Sequence, residues 1–250
     1  MIRFVIFSSY GNDSCALIQW AHEWQCEDVA VVYSDTGWAT KGWDARVAEK
    51  EAWVRSLGFI PHRTTSIGFR QLARNKRGFP TQRYQWCSYV LKIEPGMRWL
   101  EQNDPNKIAI CIVGARHDEA ADPLSTRARF PEYLVRSENH GGRMMLAPMV
   151  DFDAAARDAL LLRAGIEPLP HRSGECKCIN SNKADMRRFS EADIEEIEAA
   201  EAEIGRPMYR PHRHMGATGI REVIRWAHSE RGKYLPEPEA ETCNSGWCEQ

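Results

Sequence analysis

No stretch of this sequence approaches the run of about 18 apolar residues that a membrane-spanning helix needs, so a membrane protein of the helical type is not expected. The apolar opening, residues 2–7, is too short for a signal peptide and lacks its cleavage pattern. The cytoplasm is therefore the expected location. Charge of either sign is not in excess. The chain carries 33 basic and 35 acidic residues for a net charge of −2, which argues against attraction of the whole molecule to nucleic acid. No internal repeat or low-complexity tract is visible.

Eight cysteines in 250 residues stand out against this background. Without an export signal, disulfides are a poor explanation, and metal or redox chemistry is a better one. Cys15, Cys26 and Cys111 sit inside apolar periodic segments and read as small buried hydrophobes. Cys87, Cys176, Cys178, Cys243 and Cys248 lie outside such segments. Four of these five brought together would serve an iron–sulfur cluster, and zinc accepts the same donors.

Continuous apolar runs at residues 2–7, 29–33, 108–113 and 144–147 read as strands buried on both faces. Helical periodicity fills the intervals, at 13–24, from Trp43 through Val47, Val54 and Leu57, at 89–102 and at 152–164. Alternating strands and helices predict an α/β fold, a Rossmann-like parallel sheet flanked by helices. Near Glu167 the character changes, with Pro168, Pro170 and Ser173-Gly174 breaking regular structure. Residues 1–166 are expected to form one domain around the parallel sheet. Residues 167–250 are expected to form a C-terminal helical segment, with helices at 191–204 and 218–228, and a cysteine-bearing tail. The tryptophans Trp20, Trp43, Trp53, Trp99 and Trp226 fall at helical spacings and are expected in the core.

Ligands of parallel sheets bind beyond the carboxyl ends of the strands. Three loops lie there, at residues 8–14, 34–37 and 114–119, and should meet at one edge of the sheet. The first, Ser8-Ser9-Tyr10-Gly11-Asn12-Asp13-Ser14, enters a helix. Backbone N–H groups and the helix dipole at that point favour an anion, the serines add hydroxyl donors, and Gly11 lets the backbone approach. On spacing alone it also reads as an ordinary capped turn with Asn12 or Asp13 as N-cap. Two basic runs, 70–83 and 206–213, read equally as solvated faces or as phosphate-contacting surfaces. His212, Arg213 and His214, with His228 beyond, read as a loop rather than a metal site.

The first loop resembles the PP-loop of adenine nucleotide α-hydrolase-like enzymes, Ser-Gly-Gly-Lys-Asp-Ser, with Tyr10 in place of the first glycine and Asn12 in place of the lysine. Further segments resemble the phosphoadenosine phosphosulfate (PAPS) reductase family, which includes iron–sulfur and DNA phosphorothioation members. Val31-Val32-Tyr33-Ser34-Asp35-Thr36-Gly37 is similar to its strand ending in Asp-Thr-Gly. Trp86-Cys87-Ser88-Tyr89-Val90-Leu91-Lys92-Ile93-Glu94-Pro95 is similar to Trp-Cys-Thr-x-x-Leu-Lys-x-x-Pro. Gly114-Ala115-Arg116-His117-Asp118-Glu119 is similar to Gly-x-Arg-x-x-Glu, with Arg127 further on. Pro148-Met149-Val150-Asp151-Phe152 is similar to Pro-Ile-x-Asp-Trp.

The resemblance implies an adenine nucleotide (PAPS, its unphosphorylated analogue APS, or ATP) as substrate. Ser8, Ser9, Gly11, Asn12, Asp13 and Ser14 would line its phosphate or sulfate end, and Asp35, Thr36 and Gly37 would lie near the adenosine. Arg116 and Arg127 would supply the cation missing at Asn12, Arg116 being read alternatively as an ion pair with Asp118 or Glu119. The resemblance also implies a [4Fe–4S] cluster on four of Cys87, Cys176, Cys178, Cys243 and Cys248, although the family's usual Cys-x-x-Cys spacing is absent. Cys248 is the candidate catalytic nucleophile, on a tail that lacks the reductases' Glu-Cys-Gly-Leu-His motif.

Three activities stay open. One is sulfonucleotide reduction with a thioredoxin-like reductant. Another is ATP-dependent sulfur insertion, forming AMP and pyrophosphate, into nucleic acid or a small molecule. The third is a non-catalytic nucleotide- or redox-sensing module. A homo-oligomer is neither required nor excluded.

Overall fold

The computed structural model describes residues 1–81, 83–119, 134–209 and 218–230. In chain order the elements are β1 (Phe4–Phe7), α1 (Asn12–Glu23), β2 (Val29–Asp35), α2 (Trp43–Ser56), β3 (Ile60–Thr65), α3 (Phe69–Lys76) and α4 (Trp86–Ser88). A π turn (Tyr89–Ile93) carries α4 into α5 (Glu94–Asn103). Then follow β4 (Ile110–Ile112), β5 (Val135–Ser137), β6 (Arg143–Leu146), α6 (Ala154–Arg163), α7 (Lys183–Met186), α8 (Glu191–Ile204) and α9 (Ile220–Ala227).

The six strands form one sheet in the order β3-β2-β1-β4-β6-β5. All neighbours are parallel except β5 against β6. This is the Rossmann-like α/β architecture expected. The order reverses direction between β1 and β4: the chain builds β2 and β3 to one side of β1, then returns to place β4 on the other. Such a switch point opens a crevice at the carboxyl ends of the two strands, where the loops after β1 and β4 lie side by side.

Strands β1, β2, β4 and β6 are the apolar runs read in the sequence. Val5, Ile6, Val31, Val32 and Cys111 are fully buried, because helices cover both faces of the sheet. Strands β3 and β5 were not anticipated. β3 is an edge strand with mostly accessible side chains and a proline, Pro61, and β5 has three residues, so neither shows an apolar run. Helix α3 was also not anticipated, since its cations dominate the sequence there. Its buried face is Phe69, Leu72 and Ala73. Trp43 and Trp99 are buried, and Trp20, Trp53 and Trp226 are partly buried against core clusters.

Cys15 and Cys111 are fully buried. Burial pushes their thiols up to about 11 and about 12. A thiol raised above its unfolded value stabilises the fold below the unfolded pKa and loses that contribution as pH rises toward the folded one. Stability is thus expected to fall between about pH 9 and 12, and a Cys15→Ala/Cys111→Ala variant should flatten that limb in urea titrations. Among the described residues no helix is long and apolar enough to cross a membrane.

Candidate functional site

The loop between β1 and α1 is held by its own serines. Ser8 Oγ accepts the Tyr10 N–H at 3.0 Å, and Ser9 Oγ accepts the Gly11 N–H at 3.2 Å. The Ser9 and Ser14 hydroxyls lie 3.5 Å apart. Tyr10 adopts φ +57°, a left-handed conformation that explains why the related motif has glycine here. The strain costs about 1–2 kcal/mol. The Tyr10 ring is fully buried and stacks on Tyr33 with centroids 5.8 Å apart. Burying such a ring is worth about 3 kcal/mol, which offsets the strain and the cost of a buried hydroxyl with no hydrogen-bond partner among the described residues.

Gly11, not Asn12 or Asp13, is the N-cap of α1, and no side chain caps the helix. The first-turn N–H groups, which an α-helix cannot satisfy internally, are therefore left for a ligand or water. Asn12 is turned away from them. Its Nδ2 donates to the Leu169 carbonyl at 2.9 Å and its Oδ1 accepts the Leu169 N–H at 2.8 Å. The residue that replaces the motif's lysine is thus a two-bond clasp on residues 169–178, a strap that crosses the β1–α1 loop.

The strap continues over the end of β2. Ser173 lies against Gly11, where an added methyl would meet its Cβ at 3.0 Å. The Gly174 carbonyl accepts the Thr40 N–H at 2.8 Å, the Glu175 carbonyl accepts the Thr36 hydroxyl at 3.2 Å, and the Trp38 indole donates to the Lys177 carbonyl at 3.1 Å. Lys177 points inward, donating to the Ala39 carbonyl and pairing with Glu196. Cys176 and Cys178, on either side of it, both line one cavity. That alternation is the geometry of extended chain, and it gives the Cys-Lys-Cys spacing a physical sense. A Gly11→Ala substitution is expected to displace the strap at a cost of about 1–3 kcal/mol, measured as a lower urea midpoint at unchanged slope.

Asp13 faces the loop after β4. Arg116 Nε donates to its Oδ1 at 2.9 Å, and Arg157 Nη1 lies 3.7 Å from the same oxygen. Arg116 also reaches Asp118 at 3.1 Å and the Phe152 carbonyl at 3.4 Å. Both arginines are buried. Arg116 therefore fixes the β1–α1 loop through Asp13 as well as pairing with Asp118. Arg157 was not singled out in the sequence. Its signal is a cation at a buried position of α6, in register with Leu160 and Leu161.

In the β2 loop Thr36 is buried and spends its hydroxyl on the strap, Asp35 is half-buried, and Gly37 is exposed at φ +62°. Asp35 Oδ1 accepts the Gly37 N–H at 2.8 Å. Of the basic run at 70–83, Arg70 and Arg74 pair with Glu203 of α8, which favours the structural reading for these two. Arg127, Cys243, Cys248, His212, Arg213 and His214 lie outside the described residues.

Cys87 and Cys176 pack against the same small core beneath α8 and α9. The segments that carry them are joined by a buried ion pair, Lys92 Nζ to Glu175 Oε1 at 2.6 Å. Among the described residues no three of His, Cys, Asp or Glu converge as metal ligands would.

A family model for the phosphoadenosine phosphosulfate reductase domain matches residues 3–174. Among solved structures, the chain is similar to phosphoadenylyl-sulfate (PAPS) reductase from Candida auris in its phosphate complex. The identity is 13% and the TM-score 0.46, covering 67% of this chain and 75% of that one. It is similar to the U34-tRNA thiolase NcsA from Methanococcus maripaludis with its [4Fe-4S] cluster, at 11% identity and TM-score 0.44, covering 89% and 80%. It is also similar to the NH3-dependent NAD synthetase from Campylobacter jejuni in complex with nitrate, at 15% and 0.42, covering 84% and 88%. No curated protein sequence matches the chain. The family match runs from the start of the sheet to Gly174 in the strap, taking in the loops after β1, β2 and β4 at the carboxyl edge of the sheet, and on that ground the chain belongs to the phosphoadenosine phosphosulfate reductase domain family.

Proposed function

We propose that this protein binds an adenine nucleotide with its phosphate or sulfate end at the start of α1, and that it catalyses sulfonucleotide reduction or a related sulfur transfer. The observation that carries this reading is the open first turn of α1. Its N-cap has no side-chain partner, while the Ser9 and Ser14 hydroxyls stand beside it at the switch point of the sheet. Backbone N–H groups, helix dipole and hydroxyls together suit an oxyanion. Asp13, held by Arg116 and Arg157, fixes the turn from below, and Asp35 and Gly37 offer the adenosine end its contacts.

In the reductase form of the reaction a cysteine thiolate attacks the sulfate sulfur. The bond from sulfur to the phosphate oxygen breaks, the nucleotide leaves with the electron pair, and S-sulfocysteine forms. A thiol of a thioredoxin-like partner then attacks the cysteine sulfur, giving a mixed disulfide and releasing sulfite. Cys248 is the candidate nucleophile. A [4Fe–4S] cluster on four of Cys87, Cys176, Cys178, Cys243 and Cys248 belongs to the same proposal. The three described thiols alone do not compose its site.

The test offers ATP, APS and PAPS separately to anaerobically purified protein with reductant, and follows AMP, pyrophosphate and sulfite. Sulfite from APS or PAPS supports the reductase form, and AMP with pyrophosphate from ATP supports the adenylylating form of sulfur transfer. Turnover of none of the three, with no nucleotide bound in equilibrium dialysis, overturns the reading. Iron and acid-labile sulfide measured on the same preparation decide the cluster.

A further inference from the structure

The strap has a second use. Together with the start of α2 and the corner between α7 and α8, it encloses a cavity of about 360 Å³. None of the serines of the β1–α1 loop, Asp13, Asp35 or Arg116 lines this cavity, although Leu169 and Ser173, which lie against that loop, do. Its volume falls within the range of small-molecule sites, roughly 300–1,000 Å³.

The charge of the lining is positive. Lys41, Arg46, Arg172 and Arg188 contribute to it, against Asp185 and Asp193. Asp193 is already committed: it accepts the Lys41 and Ser190 N–H groups and lies 3.7 Å from Lys177, a cation outside the lining. Asp185 faces Arg172 at 3.4 Å and Arg188 at 3.9 Å. Two helices, α2 and α8, begin at the wall, and Gly42, the N-cap of α2, has no side-chain capping bond.

Two donors of residues in this wall have no hydrogen-bond partner among the described residues, and both atoms are closed to solvent, so neither faces the cavity itself. Arg46 gives its Nε to the Tyr10 carbonyl at 2.8 Å, but its Nη2 is buried with no hydrogen-bond partner among the described residues. The same holds for Nε1 of Trp43, a side chain that is 5% exposed. The Trp43 ring, Phe189 and Leu169 supply apolar wall beside the cations.

We propose that this cavity is a second ligand site, which takes a small organic molecule bearing a tetrahedral oxyanion of the phosphate or sulfate class. The arginines, Lys41 and the start of α2 hold the oxyanion, and Trp43, Phe189 and Leu169 hold the organic part. Cys176 and Cys178 line the same space, so the ligand lies beside the thiols of the strap. The assignment does not rest on nucleotide binding at the phosphate loop.

Location is tested by soaking crystals in selenate and reading the selenium anomalous signal. A peak within hydrogen-bond distance of Arg46 and Arg172 is expected, and its absence overturns the proposal. Chemistry is tested by titration calorimetry with inorganic phosphate, inorganic sulfate, phenyl phosphate and phenyl sulfate. One of the two phenyl esters should bind at least tenfold tighter than its bare ion, and the better ester identifies the source of the oxyanion. Lys41→Glu, at an exposed position, should weaken that ester at least tenfold. Trp43→Phe, which shrinks the aromatic wall, should weaken it several-fold. Asp13→Asn, in the phosphate loop, should leave it within twofold. Equal binding of ester and ion, or indifference to both Lys41→Glu and Trp43→Phe, leaves an adventitious ion only and overturns the proposal.

Discussion

Replacing Glu175 by glutamine is expected to cost about 3–5 kcal/mol of folding stability, the largest effect of any substitution considered for this chain. Glu175 and Lys92 are about 5% exposed and 2.6 Å apart. The π turn at Tyr89–Ile93 buries Leu91 and Lys92, consecutive residues, together, so the ammonium is delivered into the interior beneath the strap. Glutamine keeps the shape and a hydrogen-bond acceptor but removes the opposing charge. The desolvated ammonium then bears the cost, and screening by water at this depth is slight. Replacing both partners by apolar residues, Lys92→Met with Glu175→Leu, should recover most of the loss, because neither charge is then buried. Urea midpoints for the two singles and the double form a cycle whose coupling term should exceed about 1 kcal/mol. A single-variant loss below that figure would mean that the pair is hydrated and does not bind the Cys87 helix to the strap.

That ion pair also marks how far the sequence could be read. Strands β1, β2, β4 and β6 announce themselves as apolar runs because both faces of the sheet are covered. The three loops gather at one edge because parallel strands leave them no alternative. The serines stand out by their place after a buried strand, and Asp13 and Arg116 by the resemblance of their loops to the family's motifs. The strap was not found. Residues 167–174 read as a broken connection, since prolines and glycines signal only that regular structure stops. Their role depends on pairings such as Asn12 with Leu169 and Thr36 with Glu175, each between residues more than 130 positions apart, and no local periodicity encodes them. Arg157 escaped notice for a related reason. A cation on a helix reads as solvated until the sheet edge it faces is known.

Restoring the family's lysine at position 12 is expected to harm this protein. Simple reasoning from the motif says otherwise: a cation would return to the phosphate loop, and nucleotide affinity should rise. In this chain the Asn12 side chain is buried and makes both bonds to Leu169. Asn12→Lys loses them, at about 1 kcal/mol each. It also leaves the Leu169 N–H without its acceptor and brings an ammonium into a buried position occupied by an amide. The sum is about 3 kcal/mol or more, and the detached strap would no longer support Ser173 against Gly11. Stability by urea titration should fall accordingly, and nucleotide binding by equilibrium dialysis should weaken despite the added charge. Asn12→Asp, which keeps the acceptor for the Leu169 N–H and loses the donor, should fall between wild type and lysine in stability. If Asn12→Lys instead binds nucleotide more tightly at unchanged stability, the strap is not a fixed part of the phosphate loop. The departure from the motif would then be a loss of function rather than an exchange of a cation for a clasp.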